Sequence, residues 1–166
     1  MGVKETTISY LAGLVDGEGY VGIKKDMTSV RNGHSKSPLY HERIQIRMSN
    51  EEAIKLFKKI FGGSYYFEKE KANNPLTKRK MYCYQVSDLG AAKTLKLLLP
   101  YLKIKKEQAR LCLCLRRNKE SKLAHQKGNL GGRRKGKGRS MPQEVLNYRE
   151  NLWKQIKQLN QKPKIG

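Results

Sequence analysis

Acidic residues are scarce in this sequence. Its 166 residues include 14 aspartates and glutamates against 36 lysines and arginines, so the formal charge is +22 at pH 7. Self-repulsion at this charge disfavours a compact state. The excess is too large for an ordinary solvated surface of mixed sign, and it indicates a polyanionic partner.

Cysteines are few and long apolar runs are missing. The three cysteines are Cys83, Cys112 and Cys114. The last two lie on different faces of a predicted helix, so a zinc site or disulfide framework is disfavoured and we expect buried thiols. No run approaches the roughly eighteen apolar residues of a membrane span, and the N-terminus lacks the zones of a signal peptide. We therefore expect an intracellular protein with no membrane partner.

Periodic apolar positions run along the whole chain and predict one folded domain over residues 1–166. The pattern predicts a helix, two strands, a helix, two strands and a helix, followed by two more helices. The predicted segments are a helix at Thr7–Gly17, strands at Tyr20–Val30 and His41–Met48, a helix capped by Ser49 or Asn50 and ending at Gly62–Gly63, strands at Tyr65–Lys69 and Lys80–Val86, a helix capped by Ser87 or Asp88 and ending at Leu99, and helices at Ile104–Arg117 and Gln143–Leu159.

The most informative stretch is residues 11–19, which read LAGLVDGEG. On a helix its apolar residues share one face, whereas Gly13 and Gly17 leave another face without side chains. Glycine costs a helix interior about 1 kcal/mol relative to alanine, so two of them need a reason. Close approach of a second helix backbone would supply one. If that helix belongs to a second copy of the chain, a two-fold axis passes between them.

Such symmetry would bring two Glu18 carboxylates side by side. Adjacent carboxylates repel unless cations share them, and magnesium binds through few protein oxygens together with phosphate oxygens. At a phosphodiester such an ion activates water and stabilises the leaving oxygen. The alternative is that Asp16 and Glu18 are ordinary helix acids, although acids at a helix C-terminus oppose the macrodipole.

These nine residues resemble the signature of the LAGLIDADG homing endonucleases, with valine for isoleucine, glycine for alanine and glutamate for the second aspartate. The predicted element order also resembles the αββαββα core of that family. The core would cover about residues 7–118, leaving a basic loop at about 119–141 and a C-terminal helix at about 142–160. The resemblance implies an α+β fold whose curved antiparallel sheet forms a saddle on DNA.

Because one signature is present, the resemblance implies the homodimeric branch of the family. The expected activity is metal-dependent cleavage of both strands at a long pseudo-palindromic site in double-stranded DNA. The family further implies a gene inside an intron, with an organelle or an archaeal or bacterial cytoplasm as the compartment. The residues expected at the dimer interface are Gly13, Leu14, Asp16 and Gly17.

The family's site residues map onto five positions, one of which has a second candidate. Glu18 and the main-chain carbonyl of Gly17 would bind Mg²⁺, with Mn²⁺ and Ca²⁺ as other occupants, while Asp16 would be mainly structural. Lys105 matches the catalytic lysine, and Lys103 is the reserve. Asn50 matches a third polar residue of the reaction centre. An asparagine that begins a helix is also a common cap, and both roles stay open.

The second predicted strand has a polar face that carries no acid. Its polar side chains alternate with mainly apolar ones, and alternation sends the two sets to opposite sides. A twisted two-stranded ribbon fits the major groove, where arginine pairs with guanine and glutamine with adenine. An ordinary solvated strand face is the alternative. The predicted base contacts are His41, Arg43, Gln45 and Arg47.

Further DNA contacts are expected outside this strand. The resemblance places Lys24, Asp26 and Thr28 on the same side, where Asp26 either accepts from a cytosine amino group or pairs with a lysine. Tyrosines populate both faces of the second hairpin, so its register stays open. The candidates in that hairpin are Lys69, Lys80, Tyr82 and Tyr84. The phosphate-binding candidates in the glycine-rich basic segment are Arg133, Arg134, Lys135, Lys137 and Arg139.

Three functions compete on this sequence. The first is the site-specific DNA endonuclease. The second is a non-catalytic DNA- or RNA-binding protein of the same fold, such as an intron-splicing maturase. The third is a ribosomal-type RNA-binding protein, which leaves the two helix glycines unexplained. Glu18 and Lys105 together favour the nuclease, because a protein that only binds needs neither.

Overall fold

The computed structural model describes residues 3–32, 37–68, 80–121 and 141–161. Helices and strands alternate in these ranges as the α+β pattern predicts, and the predicted fold class is confirmed. Within the described residues, no helix is long and apolar enough to cross a membrane. The elements are helix α1 at Glu5–Glu18, strand β1 at Gly19–Asp26, helix α2 at Thr28–Arg31, strand β2 at Leu39–Met48, helix α3 at Glu51–Phe61, strand β3 at Ser64–Glu68, strand β4 at Met81–Ser87, helix α4 at Asp88–Leu98, helix α5 at Lys106–Glu120 and helix α6 at Gln143–Leu159.

The four strands form one antiparallel sheet in the order β1-β2-β4-β3. Ile44 and Ile46 of β2 lie opposite Val86 and Tyr84 of β4, and Tyr84 also lies opposite Tyr65 of β3. Residues directly opposite each other share a face of the sheet. This register places all five side chains on the side that the helices cover. We call the other side the open face.

The helices bury one side of the sheet. Leu11 of α1, Phe57 of α3, Leu95 of α4 and Leu115 of α5 are fully buried, and each belongs to one apolar cluster with Ile44 of the sheet. Burying a side chain of this size stabilises the fold by about 1.5–3 kcal/mol. Because the whole apolar cluster lies on this side, the open face is left for polar side chains.

The end of β1 differs from the sequence prediction, which continued the strand to Val30. The strand ends at Asp26, whose Oδ1 accepts a hydrogen bond from the main-chain N–H of Thr28 at 2.8 Å. An aspartate that bonds two residues ahead turns the chain. Thr28 therefore begins the short helix α2, and its proposed place on the first strand beside Lys24 is wrong.

Helix α3 begins and ends as the sequence predicts. Asn50 Oδ1 accepts a hydrogen bond from the Ala53 N–H at 3.1 Å and caps the helix. At the other end Gly62 adopts a φ of 71°, a left-handed conformation that suits glycine. The cap at Asn50 and the glycine at Gly62 were thus sufficient to predict where this helix begins and ends.

Helix α4 lacks the predicted side-chain cap. Ser87 makes no capping hydrogen bond, and the Asp88 carboxylate instead contacts His41 and Lys119. Asp88 also has a φ of 53°, in the left-handed region that a residue other than glycine seldom adopts. Contacts with distant residues therefore decide the position of Asp88.

Helix α6, which lies outside the family resemblance, is packed into the same core. Arg149 is buried, and its Nε donates to Asn118 Oδ1 at 2.7 Å. Asn160 Nδ2 donates to the main-chain oxygen of Val21 at 2.9 Å. With Ile156 almost fully buried, α6 covers β1 and α5.

The cysteines are free thiols, as expected. Cys83 and Cys112 are buried, whereas Cys114 is half-buried. Burial raises the pKa of the Cys112 thiol far above its ordinary value. Cys83 and Cys112 are therefore packed inside the fold, as expected. The expectation of burial is wrong only for Cys114.

Candidate functional site

The acidic end of α1 meets the loop between α4 and α5. Asp16 Oδ2 accepts a hydrogen bond from the Lys103 N–H at 2.6 Å, and Oδ1 accepts one from the Lys105 N–H at 2.9 Å. Burial raises the pKa of Asp16, but these main-chain hydrogen bonds outweigh it and hold the pKa below its ordinary value. One carboxylate thus ties together segments 87 to 89 residues apart.

The ammonium of Lys105 is held at the same point. It donates a hydrogen bond to the main-chain oxygen of Asp16. Burial lowers the pKa of Lys105 more than the negative charges of Asp16 and Glu18 raise it, so the pKa lies below its ordinary value. A partly buried cation next to a carboxylate can orient water or stabilise developing negative charge. The neighbouring Lys103 is exposed.

The Glu18 carboxylate is exposed at the last position of α1. It makes no hydrogen bond or ion pair with any described residue. Gly17 precedes it in the last helical turn, where main-chain carbonyls lack intrahelical partners. Carboxylate and carbonyl oxygens are the donors that magnesium prefers, so this end of α1 suits a hard divalent ion.

A single chain supplies only part of such a metal site. In the described part of the chain, no three His, Cys, Asp or Glu side chains form a group that could hold a metal ion. Magnesium commonly uses one or two carboxylates and takes its other oxygens from water and substrate phosphates. Glu18 and the Gly17 carbonyl fit that requirement when a phosphate or a second chain completes the sphere.

One face of α1 beside this site is bare. A Cβ atom added at Gly13 or Gly17 would meet nothing within 4 Å. Tyr10 precedes them on the same side and is 52% exposed, whereas Leu14 is half-buried against the core. Asp16, which the resemblance also placed at an interface, turns its carboxylate into its own chain. The backbone at the two glycines is open to a partner.

Asn50 lies at the same end of the sheet as Glu18. Gly19 of β1 pairs with Ile46 of β2, so the end of β2 runs beside the start of β1. Asn50 lies two residues after the end of β2 and is exposed. Its amide oxygen is used by the cap of α3. The geometry therefore supports the structural role of Asn50 as the cap of α3.

The open face carries the basic and amide residues that the alternation predicts. His41, Arg43 and Gln45 point away from the helices, because Ile44 and Ile46 between and beside them are fully buried. Arg47 and Lys24 lie on the same face by register, with Lys24 opposite His41. The predicted polar face of β2 is confirmed.

Each basic residue of β2 on this face has a partner from a neighbouring element. The alternation predicted a face without acids, but β3 and α4 bring two carboxylates to it. Held side chains lose less conformational freedom when they meet a ligand. The pairs are His41 Nδ1 with Asp88 Oδ2 at 2.9 Å, Arg43 Nη2 with Gln85 Oε1 at 2.5 Å, and Arg47 with Glu68.

Tyr82 and Tyr84 lie on the helix-covered side, so their proposed DNA contacts are wrong. Tyr84 is fully buried, and its ring stacks on Phe57 with 5.3 Å between centroids. Tyr82 packs against Tyr65 and Phe67. Both tyrosines are parts of the apolar packing, which the alternation of the second hairpin alone did not reveal.

The register brings other residues to the open face instead. Tyr66 of β3 is 42% exposed and lies opposite Cys83, and Gln85 lies opposite Gln45. Tyr20 of β1 is 41% exposed and also lies opposite Gln45. Once one tyrosine of β4 is known to be buried, strict alternation identifies which other residues of the hairpin lie on the open face. The sequence contains no feature that selects that first tyrosine.

Lys80 is exposed directly before β4. Some proposed contacts lie outside the described residues, namely Lys69, Arg133, Arg134, Lys135, Lys137 and Arg139.

A buried charge cluster behind the sheet was also missed by the sequence analysis. Glu42 is fully buried, and its Oε2 lies 2.8 Å from both Arg116 and Lys119. Lys119 also lies 3.0 Å from Asp88. Removing one member of a buried ion pair costs about 3–5 kcal/mol. The cluster fixes α5 against β2 and extends to the partner of His41.

Comparisons with known proteins agree with this geometry. A family model described as LAGLIDADG endonuclease matches residues 11–113. No curated protein matches the chain.

Solved structures resemble the fold at low sequence identity. The homing endonuclease I-CvuI in complex with its target in the presence of Ca is 19% identical, with a TM-score of 0.67 over 96% of this chain and 85% of that one. I-CvuI with the I-CreI target in the presence of Mg, in which the DNA is not cleaved, is 19% identical. Its TM-score is 0.67 over 98% of this chain and 87% of that one. The archaeal intron-encoded homing endonuclease I-Vdi141I complexed with DNA is 17% identical. Its TM-score is 0.51 over 89% of this chain and 97% of that one.

Proposed function

The chain belongs to the LAGLIDADG endonuclease family, and from this premise we propose that it is a homing endonuclease that cuts double-stranded DNA. It would hydrolyse both strands at a long pseudo-palindromic site, with a divalent metal and as a homodimer. The observation that carries the proposal is the unit of Asp16, Glu18 and Lys105 at the end of α1. A protein that only binds nucleic acid has no use for this arrangement.

The residues of this unit have separate roles. Glu18 and the Gly17 carbonyl would hold Mg²⁺, with Mn²⁺ or Ca²⁺ as alternative occupants. The bound ion would supply an activated water and stabilise the leaving oxygen. Lys105 would orient the water or stabilise charge on the phosphorane. Asp16 acts through Lys105, because its carboxylate fixes the loop and its main-chain oxygen accepts from the ammonium.

A second copy of the chain would complete the site. The bare backbone at Gly13 and Gly17 supports close packing of two α1 helices about a two-fold axis. That packing would bring two Glu18 carboxylates together, and shared cations would relieve their repulsion. A two-fold protein then reads a pseudo-palindromic site because each copy contacts one half.

The open face is the proposed DNA-reading surface. Lys24, His41, Arg43, Gln45 and Arg47 present donors and acceptors of the kind that read base edges in the major groove. The excess of positive charge, +22 for the chain, supplies sequence-independent attraction to phosphates. DNA complexes of I-CvuI and I-Vdi141I, which resemble this fold, support the assignment of double-stranded DNA as the partner.

The test is selection of cut molecules from a randomised duplex library. Native chain, Glu18→Gln and Glu52→Gln are each incubated with magnesium or with EDTA. Glu52 is a matched control because it is an exposed glutamate on a different helix, α3, where it pairs with Lys55. We expect cutting at one quasi-palindromic sequence, only with magnesium, by the native chain and Glu52→Gln but not by Glu18→Gln.

Other outcomes contradict the proposal in distinct ways. Binding of duplex without cutting by any of the three proteins would identify a DNA-binding module. Preferential binding of structured RNA would favour a splicing role. Cutting by Glu18→Gln at the native rate would overturn the assignment of the metal ligand.

A further inference from the structure

Asp88 connects the open face to the buried charge cluster behind the sheet. Its two carboxylate oxygens lie 3.0 and 2.9 Å from Nδ1 of His41, and Oδ1 lies 3.0 Å from Nζ of Lys119. The backbone at Asp88 is held at a φ of 53°. A non-glycine residue in this conformation is strained and persists only where its surroundings fix it. The contacts with His41 and Lys119 are what fix it here.

The contact determines which nitrogen of His41 carries hydrogen. Burial raises the pKa of Asp88, but the hydrogen bonds from His41 and Lys119 outweigh it, so the pKa lies below its ordinary value. The carboxylate is therefore ionised near neutral pH and can only accept hydrogen bonds. Nδ1 must donate in the neutral and in the protonated ring alike. Only Nε2 differs between the two states.

Nε2 makes no hydrogen bond with any described residue. The His41 side chain is 29% exposed on the open face. Lys24 lies opposite it on β1, Asp26 follows on the same strand, and Lys119 of α5 lies behind Asp88. These charged side chains lie around the ring, and the Asp88 carboxylate accepts a hydrogen bond from Nδ1. Nε2 is therefore the ring nitrogen that remains for a ligand on the open face.

We propose that Asp88 is a positioning residue that presents Nε2 of His41 to one base pair of the bound duplex, and that the base preferred there depends on the protonation of His41. The inference rests on the proposed binding of DNA by the open face. A neutral Nε2 accepts from the amino group of cytosine or adenine. A protonated Nε2 donates to guanine N7 or O6, or to thymine O4. The preferred base should therefore differ between the neutral and the protonated ring.

The experiment is selection of bound duplexes from a randomised library at about pH 6 and about pH 8, because histidine side chains change charge over this part of the pH scale. A chelator is present so that no strand is cut. Ratios between sequences at one pH cancel the phosphate contacts that all sequences share. We expect the preference at one position, or one symmetric pair, to shift about threefold to tenfold, the size of one hydrogen bond. Other positions should not shift.

Two variants separate the roles of the residues. His41→Gln keeps a polar side chain that does not titrate, so its preference at this position should be the same at both pH values. Asp88→Gly accepts a φ of 53° without strain and removes the carboxylate together with its contact to Lys119. Without that acceptor either nitrogen of the neutral ring can carry the hydrogen, so Nε2 can donate as well as accept and the pH-dependent shift should shrink, while folding, checked by circular dichroism, is retained.

Two results would overturn the inference alone: enrichment of duplex by the native chain with the same preference at both pH values, or a shift in Asp88→Gly as large as that of the native chain. No enrichment of any duplex by the native chain would overturn the proposed DNA binding and this inference with it.

Discussion

At the scale of single residues, the structure gives two lysines of one loop different surroundings. Lys103 and Lys105 carry the same charge, but Lys103 is exposed and Lys105 donates to the Asp16 main chain beside Glu18. We predict that Lys105→Met lowers the single-turnover cleavage rate about 100- to 1000-fold, the usual effect of removing one group that stabilises a transition state. Lys103→Met is the matched control and should cut at close to the native rate. Equal losses in both variants would refute a special role for Lys105.

Asp16 links the site to stability in acid. Its pKa is held below the ordinary value in the folded chain, so its stabilisation is full at neutral pH and is lost as pH falls below about 4 and through the folded pKa. The pKa values of Asp88 and Glu150 are also held below their ordinary values, so these two carboxylates likewise lose stabilisation in acid. Asp16→Asn should lower the free energy of unfolding by about 1–3 kcal/mol at pH 7. Its stability should then fall less steeply with acid than that of the native chain.

Urea unfolding followed by circular dichroism at about pH 7 and about pH 3 measures both effects. If the Asp16→Asn variant lost stability in acid as steeply as the native chain, the hydrogen bonds from Lys103 and Lys105 would not account for the low pKa of Asp16.

At the scale of elements, Asn50 shows how a cap and a site residue can be separated. Asn50→Ala removes the acceptor for Ala53 N–H and should lower the free energy of unfolding by about 1 kcal/mol. Asn50→Asp keeps an acceptor at the start of α3 and should retain the native stability. Thermal unfolding measures the cap. If Asn50→Asp folds normally but cuts more slowly, its amide group has a further role at the reaction centre.

Elements with local signals were predicted well from the sequence. The start of α3 at Asn50 and its end at Gly62 follow from a cap and a left-handed glycine. The polar face of β2 follows from strict alternation. The nine residues of the signature and the position of Lys105 were sufficient to identify the end of α1 as the candidate site.

Features that depend on long-range pairing were not predicted. Tyr82 and Tyr84 were assigned to the wrong side because both faces of the second hairpin carry aromatic residues and only the pairing with β2 selects one. The partners of the open face, Glu68 and Asp88, come from other elements. Burial of Glu42 depends on Arg116, 74 residues away. No periodicity within one segment contains this information.

At the scale of the whole molecule, the bare face of α1 predicts how assembly can be broken without unfolding the chain. Leucine at Gly13 meets open space within one chain, and a helix interior favours leucine over glycine. Gly13→Leu should therefore fold with native or higher thermal stability. The same side chain would block close approach of a second α1, so the variant should sediment as a monomer and lose cleavage. A dimer in this variant would place the interface elsewhere.

Helix α6 affects how the newly synthesised chain folds. Asn160 bonds to Val21, and Glu150 of α6 pairs with Lys25 at 2.8 Å, so the first strand is completed by a helix more than a hundred residues later. Contacts of such separation form slowly. On the ribosome, the part of β1 that α6 covers must therefore stay exposed until α6 has been synthesised. During that interval the chain's own contacts leave this part of the strand unprotected.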